Sequence, residues 1–133
     1  MPIHYYPYHL KFKAPFKIAS VERTGTDNLY LKFTKDGFEG WGEAVFPPYI
    51  RENQQTAIQR LADLNWEFTD EADLFRVIQQ NQTILYQEPS LACAMETSLL
   101  NWLAASKKTS LNEILQLDSI DKETSYTIGI SSN

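Results

Sequence analysis

Gly40-Trp41-Gly42-Glu43-Ala44, followed at once by Val45-Phe46-Pro47-Pro48-Tyr49, divides the chain into two kinds of text. Ahead of it, polar and apolar residues alternate in short runs rich in aromatic side chains, the pattern of β-strands. Behind it, apolar residues return every three or four positions, the pattern of helices. Two glycines around a tryptophan let backbones approach closely, and a double proline removes two amide donors, so neither strand nor helix continues across this point. A strand ends here, and a loop leaves the sheet edge.

Three strands are predicted before the boundary. His4, Tyr6, Tyr8, Leu10 and Phe12 alternate with Tyr5, Pro7, His9, Lys11 and Lys13, and Pro7, which cannot donate to a ladder, places this first strand at an edge or beside a bulge. Residues 14–28 carry breakers at both ends and read as a long loop, a length that is uncommon in a small domain unless the loop is functional or mobile. Leu29, Leu31 and Phe33 alternate with Tyr30, Lys32 and Thr34 as a second strand. Asp36-Gly37 then turns the chain into a third strand from Phe38 to Ala44, giving an antiparallel hairpin.

After the boundary the periodicity predicts helices. One begins near Arg51, with Ala57, Ile58, Leu61 and Ala62 on one stripe, and is closed by Trp66 and Phe68. A second is capped by Thr69 or Asp70 and carries Leu74, Phe75, Val77 and Ile78. The third and most apolar runs from Pro89-Ser90 to about Lys107, its terminal lysines matching the negative end of the helix dipole. Ser110-Leu111-Asn112-Glu113 is a capping-box pattern that opens a short fourth helix through Leu117. Thr124 to Ile130 reads as one more strand, separated from the other three by four helices and without a sequence neighbour to pair with.

At 133 residues the chain has the length of one domain and is too short for a (β/α)₈ barrel of roughly 250 residues. Twelve basic residues against seventeen acidic ones give a net charge of −5, with no basic patch, which argues against nucleic acid and anionic membrane as partners. A single cysteine excludes an internal disulfide and fits a reducing compartment, so the cytoplasm is the expected location. The N-terminus has no signal-peptide pattern, and no segment approaches the 18 or so apolar residues of a membrane span.

No catalytic constellation emerges from residue types alone. His4 and His9 fall on opposite faces of one strand and cannot jointly hold a metal. Glu43 has no carboxylate or histidine partner nearby and is expected to bond backbone donors of the adjoining loop. Cys93, among Ala92, Ala94 and Met95, is expected to be a buried packing residue. The two loops carry more information. Phe16, Ile18, Val21 and Arg23 in the first, with Phe46, Tyr49, Ile50 and Arg51 in the second, set apolar bodies beside cationic ends. Such a set suits a pocket for a small molecule with an anionic group; equally, the aromatic residues fill the domain's own core.

At these residues the chain resembles the N-terminal capping domain of the muconate-lactonizing branch of the enolase superfamily, and within it the dipeptide epimerases. Pro15-Phe16-Lys17-Ile18-Ala19 is similar to that branch's first lid loop, Gly40 to Ala44 to its third-strand signature, and Ala92 to Ala104 to its Ala-rich helix with an internal Glu, here Glu96. Thr124 to Ile130, with its Tyr126-Thr127 pair, is similar to the opening strand of the barrel. The resemblance implies an α+β fold, a three-stranded antiparallel sheet followed by three to four helices. Residues 1–120 would form the cap, and residues 121–133 a linker and the first strand of a barrel.

In such enzymes a proton α to a carboxylate is abstracted and Mg²⁺ stabilises the enediolate, an arrangement that general accounts of this superfamily already give. The resemblance puts the base lysines and metal ligands on later barrel strands, so Mg²⁺ is expected outside this chain, and the chain is expected to be inactive alone. Its substrate-binding residues would be Phe16, Ile18, Val21, Arg23, Tyr49, Ile50, Arg51 and Thr127. Epimerases of acidic dipeptides are expected to place an arginine about where Val21 stands, so a hydrophobic or mixed dipeptide is predicted. Two alternatives stand beside this: a stand-alone binding module with the capping fold, and the lid of a muconate-lactonizing or o-succinylbenzoate synthase enzyme. The expected partners are the barrel and a dipeptide. Without a barrel, apolar surface that includes Trp102 or Tyr126 would favour self-association.

Overall fold

The computed structural model of the chain describes residues 2–18, 20–118 and 123, with the side chain of residue 18 left out. A three-stranded antiparallel sheet is followed by helices, as the sequence predicts. β1 spans Ile3–Ile18, β2 Val21–Lys35 and β3 Phe38–Val45, in the spatial order β1-β2-β3. The β2–β3 turn takes Asp36 at φ 53° and Gly37 at φ 79°. Two successive positive φ values define the turn whose twist matches that of paired strands, which is why an Asp-Gly pair stands there.

The long loop predicted over residues 14–28 is absent. β1 and β2 continue past the body of the sheet as a hairpin arm, with Phe16 opposite Arg23 and Ile18 opposite Val21. The alternation is masked because the register breaks between Lys11 and Phe16: four residues of β1, 12–15, stand across from Thr24 alone. Such a bulge shifts the side-chain phase of everything beyond it. Pro7 and Pro15 are tolerated because β1 is an edge strand whose outer amides need no ladder partner.

The remaining elements are α1 Gln54–Arg60, a 3₁₀ turn Leu61–Asp63, α2 Glu71–Ile84, α3 Pro89–Lys107 and α4 Leu111–Ile114. The first helix therefore begins three residues later than predicted. Asn53 is its cap, in a reciprocal box with Thr56, so Arg51 and Glu52 belong to the loop. Asp70 caps α2 and Ser110 caps α4 through Glu113, both as the residue types predict. Leu115 and Leu117 are exposed beyond the end of α4. The strand predicted over 124–130 lies outside the described residues.

The core forms where α3 lies across the inner face of the sheet. Leu29, Leu31 and Phe33 of β2, Ala44 of β3, and Leu91, Met95 and Leu99 of α3 are fully buried, each large side chain contributing about 1.5–3 kcal/mol. Gly40 and Gly42 sit against the α3 backbone, where a Cβ would collide with the carbonyls of Ser98 and Ala94. These glycines are the price of a helix packed directly on a strand. Phe33 is enclosed by Trp66, Phe68 and Trp102, with ring centroids 6.3, 5.7 and 5.7 Å away. Trp102, predicted to lie on exposed surface, is 7% exposed, and its indole N–H donates to the Lys35 carbonyl at 2.9 Å. Buried Asn81 exchanges two hydrogen bonds with the backbone of Asn65, which fixes the extended segment carrying Trp66 and Phe68.

Cys93 is exposed, against expectation. The buried stripe of α3 passes through Leu91, Ala94, Met95, Ser98 and Trp102, and the helical repeat turns Cys93 away from it, towards Thr97.

Candidate functional site

The register fixes where the two candidate segments stand. β3 ends at Val45, opposite Asn28, while β2 runs on from Asn28 back to Val21. The hairpin arm and the loop that follows Val45 therefore leave the sheet at the same end. Gln54, at the start of α1, ties them together: its side-chain amide donates to the carbonyls of Asn28, at 2.8 Å, and Tyr8, at 3.3 Å.

On the arm, Phe16 and Arg23 are half-buried and Val21 is exposed. The Arg23 guanidinium lies 5.8 Å from the centroid of the Phe12 ring, a cation–π distance that holds the cation along the arm. Lys17 and Glu22 approach to 3.9 Å with both side chains more than half exposed, a pair that contributes little. The side chain of Ile18, and Thr127 altogether, lie outside the described residues.

The second loop separates into parts. Phe46 is buried in the core, so of the two readings open for it, packing is the one observed. Ile50 is half-buried against the same core. Tyr49, 85% exposed, and Arg51, also exposed, face solvent at the tip. A cleft of about 520 Å³ runs between Ile50 and Arg51 on one side and Gln87, Glu88 and Pro89 on the other. A second, of about 340 Å³, lies between Asp27 and residues 46–55. Neither of these two clefts is lined by Phe16, Val21, Arg23 or Tyr49.

Glu43 does not bond the adjoining loop. Its carboxylate accepts from the side-chain amide of Asn28 at 2.6 Å, and its interaction with the Tyr30 hydroxyl is the main cause that raises the pKa of that phenol. The reason is phase: Tyr30 and Glu43 are cross-strand partners, so the carboxylate meets side chains of β2 on the outer face. The loop is instead bonded by a residue the sequence reading passed over. Glu52 is 7% exposed and accepts from the backbone amides of Ser90, at 2.9 Å, and Leu91, at 3.0 Å. One signal for it was available. Gln87-Glu88-Pro89 supplies no Ser, Thr, Asp or Asn before α3, and Glu88 makes no side-chain cap, so the helix start needs an acceptor from elsewhere.

Comparison with known proteins adds to this geometry. No protein-family model matches the chain. It is 26% identical over 132 residues to the L-Ala-D/L-Glu epimerase of Bacteroides thetaiotaomicron, which covers 98% of this chain and 34% of that protein. It is 29% identical over 133 residues to the hydrophobic dipeptide epimerase of Roseobacter litoralis, covering 98% of this chain and 38% of the relative. The chain thus spans about a third of the length of the curated relatives it matches. The dipeptide epimerase of Methylococcus capsulatus, solved with Mg and the dipeptide L-Arg-D-Lys, superposes on 97% of this chain and 38% of its own, with a TM-score of 0.83 at 26% identity. The fold is the N-terminal capping fold of the enolase superfamily, as dipeptide epimerases carry it. The arm and the second loop are the two segments of this cap that leave its sheet at one end.

The Methylococcus enzyme carries Mg, and the residues here can be tested against such an ion. Among the described residues, no three His, Cys, Asp or Glu side chains converge as a cation site. They do not fit Mg²⁺. No helix of the described residues is long and apolar enough to cross a membrane.

Proposed function

We propose that this chain is the substrate-selecting cap of a Mg²⁺-dependent dipeptide epimerase, working over the mouth of a (β/α)₈ barrel. The observation that carries the proposal is the superposition of nearly the whole chain on the Methylococcus dipeptide epimerase at a TM-score of 0.83. Residues 1–120 are the cap in this reading, and residues 121–133 a linker and first barrel strand. No described residue of this chain would hold the Mg²⁺; in this reading the barrel would hold it, and the ion would supply positive charge to the substrate carboxylate.

The cap's own contribution is selection. Tyr49 and Arg51 at the loop tip, with Val21, Arg23 and Phe16 on the arm, offer apolar surface and two cations to the ends of a short peptide. Val21 supplies no charge for an acidic side chain, which supports a hydrophobic or mixed dipeptide as substrate. Among the relatives, the Roseobacter hydrophobic dipeptide epimerase agrees with this choice and the Bacteroides L-Ala-D/L-Glu epimerase does not, so the choice rests on Val21. The cytoplasm is the proposed location, because a single cysteine suits a reducing compartment.

The test compares two polypeptides in D₂O with Mg²⁺ and a set of L,L-dipeptides, following the α-proton by NMR. The 133-residue chain is expected to exchange no α-proton, and the polypeptide translated from the complete reading frame is expected to exchange one. Exchange by the 133-residue chain would contradict the assignment of all chemistry to a barrel.

A further inference from the structure

We infer that Glu52 is the positioning residue of the selecting loop: its carboxylate pins residues 46–51 to the first turn of α3. The inference rests on the cap reading above for its functional consequence, but the anchoring itself stands on geometry alone.

The first-turn amides of a helix have no partner within the helix, and they carry the positive end of its dipole. At α3 the first helical residue is Pro89, which has no N–H to satisfy, so Ser90 and Leu91 hold the first amides that need an acceptor. The residue before the helix, Glu88, is turned elsewhere, accepting from Arg60 Nε at 3.0 Å. Glu52, thirty-eight positions upstream, meets both amides, one with each carboxylate oxygen. Buried at 7% exposure, this charge is compensated by two charge-assisted hydrogen bonds and the helix end, the conditions under which burial of a carboxylate is tolerated.

The same helical turn holds the other foot of the loop. The Ser90 hydroxyl donates to the Val45 carbonyl at 2.8 Å, at the last residue of β3. Residues 46–51 are therefore a closed span with both ends on α3, folded internally by the Ile50 amide donating to the Pro47 carbonyl at 3.1 Å. With its feet fixed, the span presents Tyr49 and Arg51 in one place; with Glu52 released, the Val45 foot and the packing of Phe46 and Ile50 would hold its first part, and the 51–52 end would lose its tie to α3. A carboxylate is required here, since a glutamine presents one acceptor and turns two donors towards an amide.

Amide hydrogen exchange on the 133-residue chain tests the anchor. In the wild type, Ser90 and Leu91 should exchange at least tenfold more slowly than free peptide amides, unlike ordinary first-turn positions. Glu52→Ala should abolish that protection and speed exchange at 49–53, leaving Leu31, Phe33 and Leu99 unchanged. Glu52→Gln should fall between the two. Free exchange at Ser90 and Leu91 in the wild type, or a uniform acceleration through the whole core in both variants, would overturn the anchor.

The functional arm uses the polypeptide from the complete reading frame. Glu52→Gln should raise KM for the preferred dipeptide about tenfold with kcat changed less than twofold, and should compress the preference among dipeptides. Unchanged KM and unchanged preference in a variant that has lost its amide protection would overturn the positioning role. If the wild type turns over no dipeptide, the cap reading fails, while the exchange arm still decides whether Glu52 holds the loop.

Discussion

A Cβ on Gly42 would occupy the space held by the carbonyl oxygen of Ala94. The strand and the helix that carry these two residues are in backbone contact, and the position of α3, with the loop feet attached to its first turn, depends on that contact. Gly42→Ala is expected to cost about 2–3 kcal/mol by overpacking. Urea denaturation reads this as a lower midpoint with little change in slope, and an unchanged midpoint would show that α3 can shift without penalty.

Phe33 lies at the centre of the aromatic group formed with Trp66, Phe68 and Trp102. Phe33→Ala is expected to destabilise the fold by about 3–5 kcal/mol. Tryptophan fluorescence would register it twice, as an earlier thermal transition and as a red shift of the native emission.

The acid limb of the stability curve has identifiable sources. The Thr69 amide, then its hydroxyl, then Arg76 hold the Asp73 carboxyl below its ordinary value of 3.8. The Thr109 hydroxyl and the Ser110 amide do the same for Glu113, from 4.5. A depressed carboxylate stabilises the fold above its unfolded pKa, and that contribution is lost as pH falls through the lower folded value. Stability should therefore decline below about pH 4.5, and Asp73→Asn should flatten the decline. A variant curve parallel to the wild type down to pH 2 would contradict the assignment.

Much of this architecture could be read directly from residues. Asp36-Gly37 specified its turn, and Asp70 and Ser110 specified their helix starts, because each acts through local backbone geometry. Glycines 40 and 42 marked a close approach whose partner, α3, became visible only with the fold. The hairpin arm is not legible in the sequence, because the bulge at residues 12–15 breaks the two-residue period that reveals strands. Cys93 has apolar neighbours in sequence, but helical phase decides burial and leaves it exposed. At the candidate site, Tyr49 and Arg51 face solvent at the loop tip, whereas Phe46 is core. The role of Glu52 is hidden in the sequence because its partners are backbone amides nearly forty residues away, which no local pattern marks.

The proposed role of the arm in selection is testable at one position. In the polypeptide from the complete reading frame, Val21→Arg is expected to raise kcat/KM for L-Ala-L-Glu relative to aliphatic dipeptides by about tenfold. That is the worth of one charge-assisted hydrogen bond of about 1.5 kcal/mol. An unchanged ratio would remove Val21 from the selecting surface.

The most direct measurement of the cap's role is the rate of α-deuterium incorporation from D₂O by that same polypeptide with Mg²⁺, ranked across a dipeptide panel. Incorporation is predicted to be faster for hydrophobic or mixed dipeptides than for L-Ala-L-Glu, and to re-rank when Tyr49 or Arg51 is replaced by alanine. Incorporation into no dipeptide, or a ranking indifferent to both loop substitutions, would contradict it.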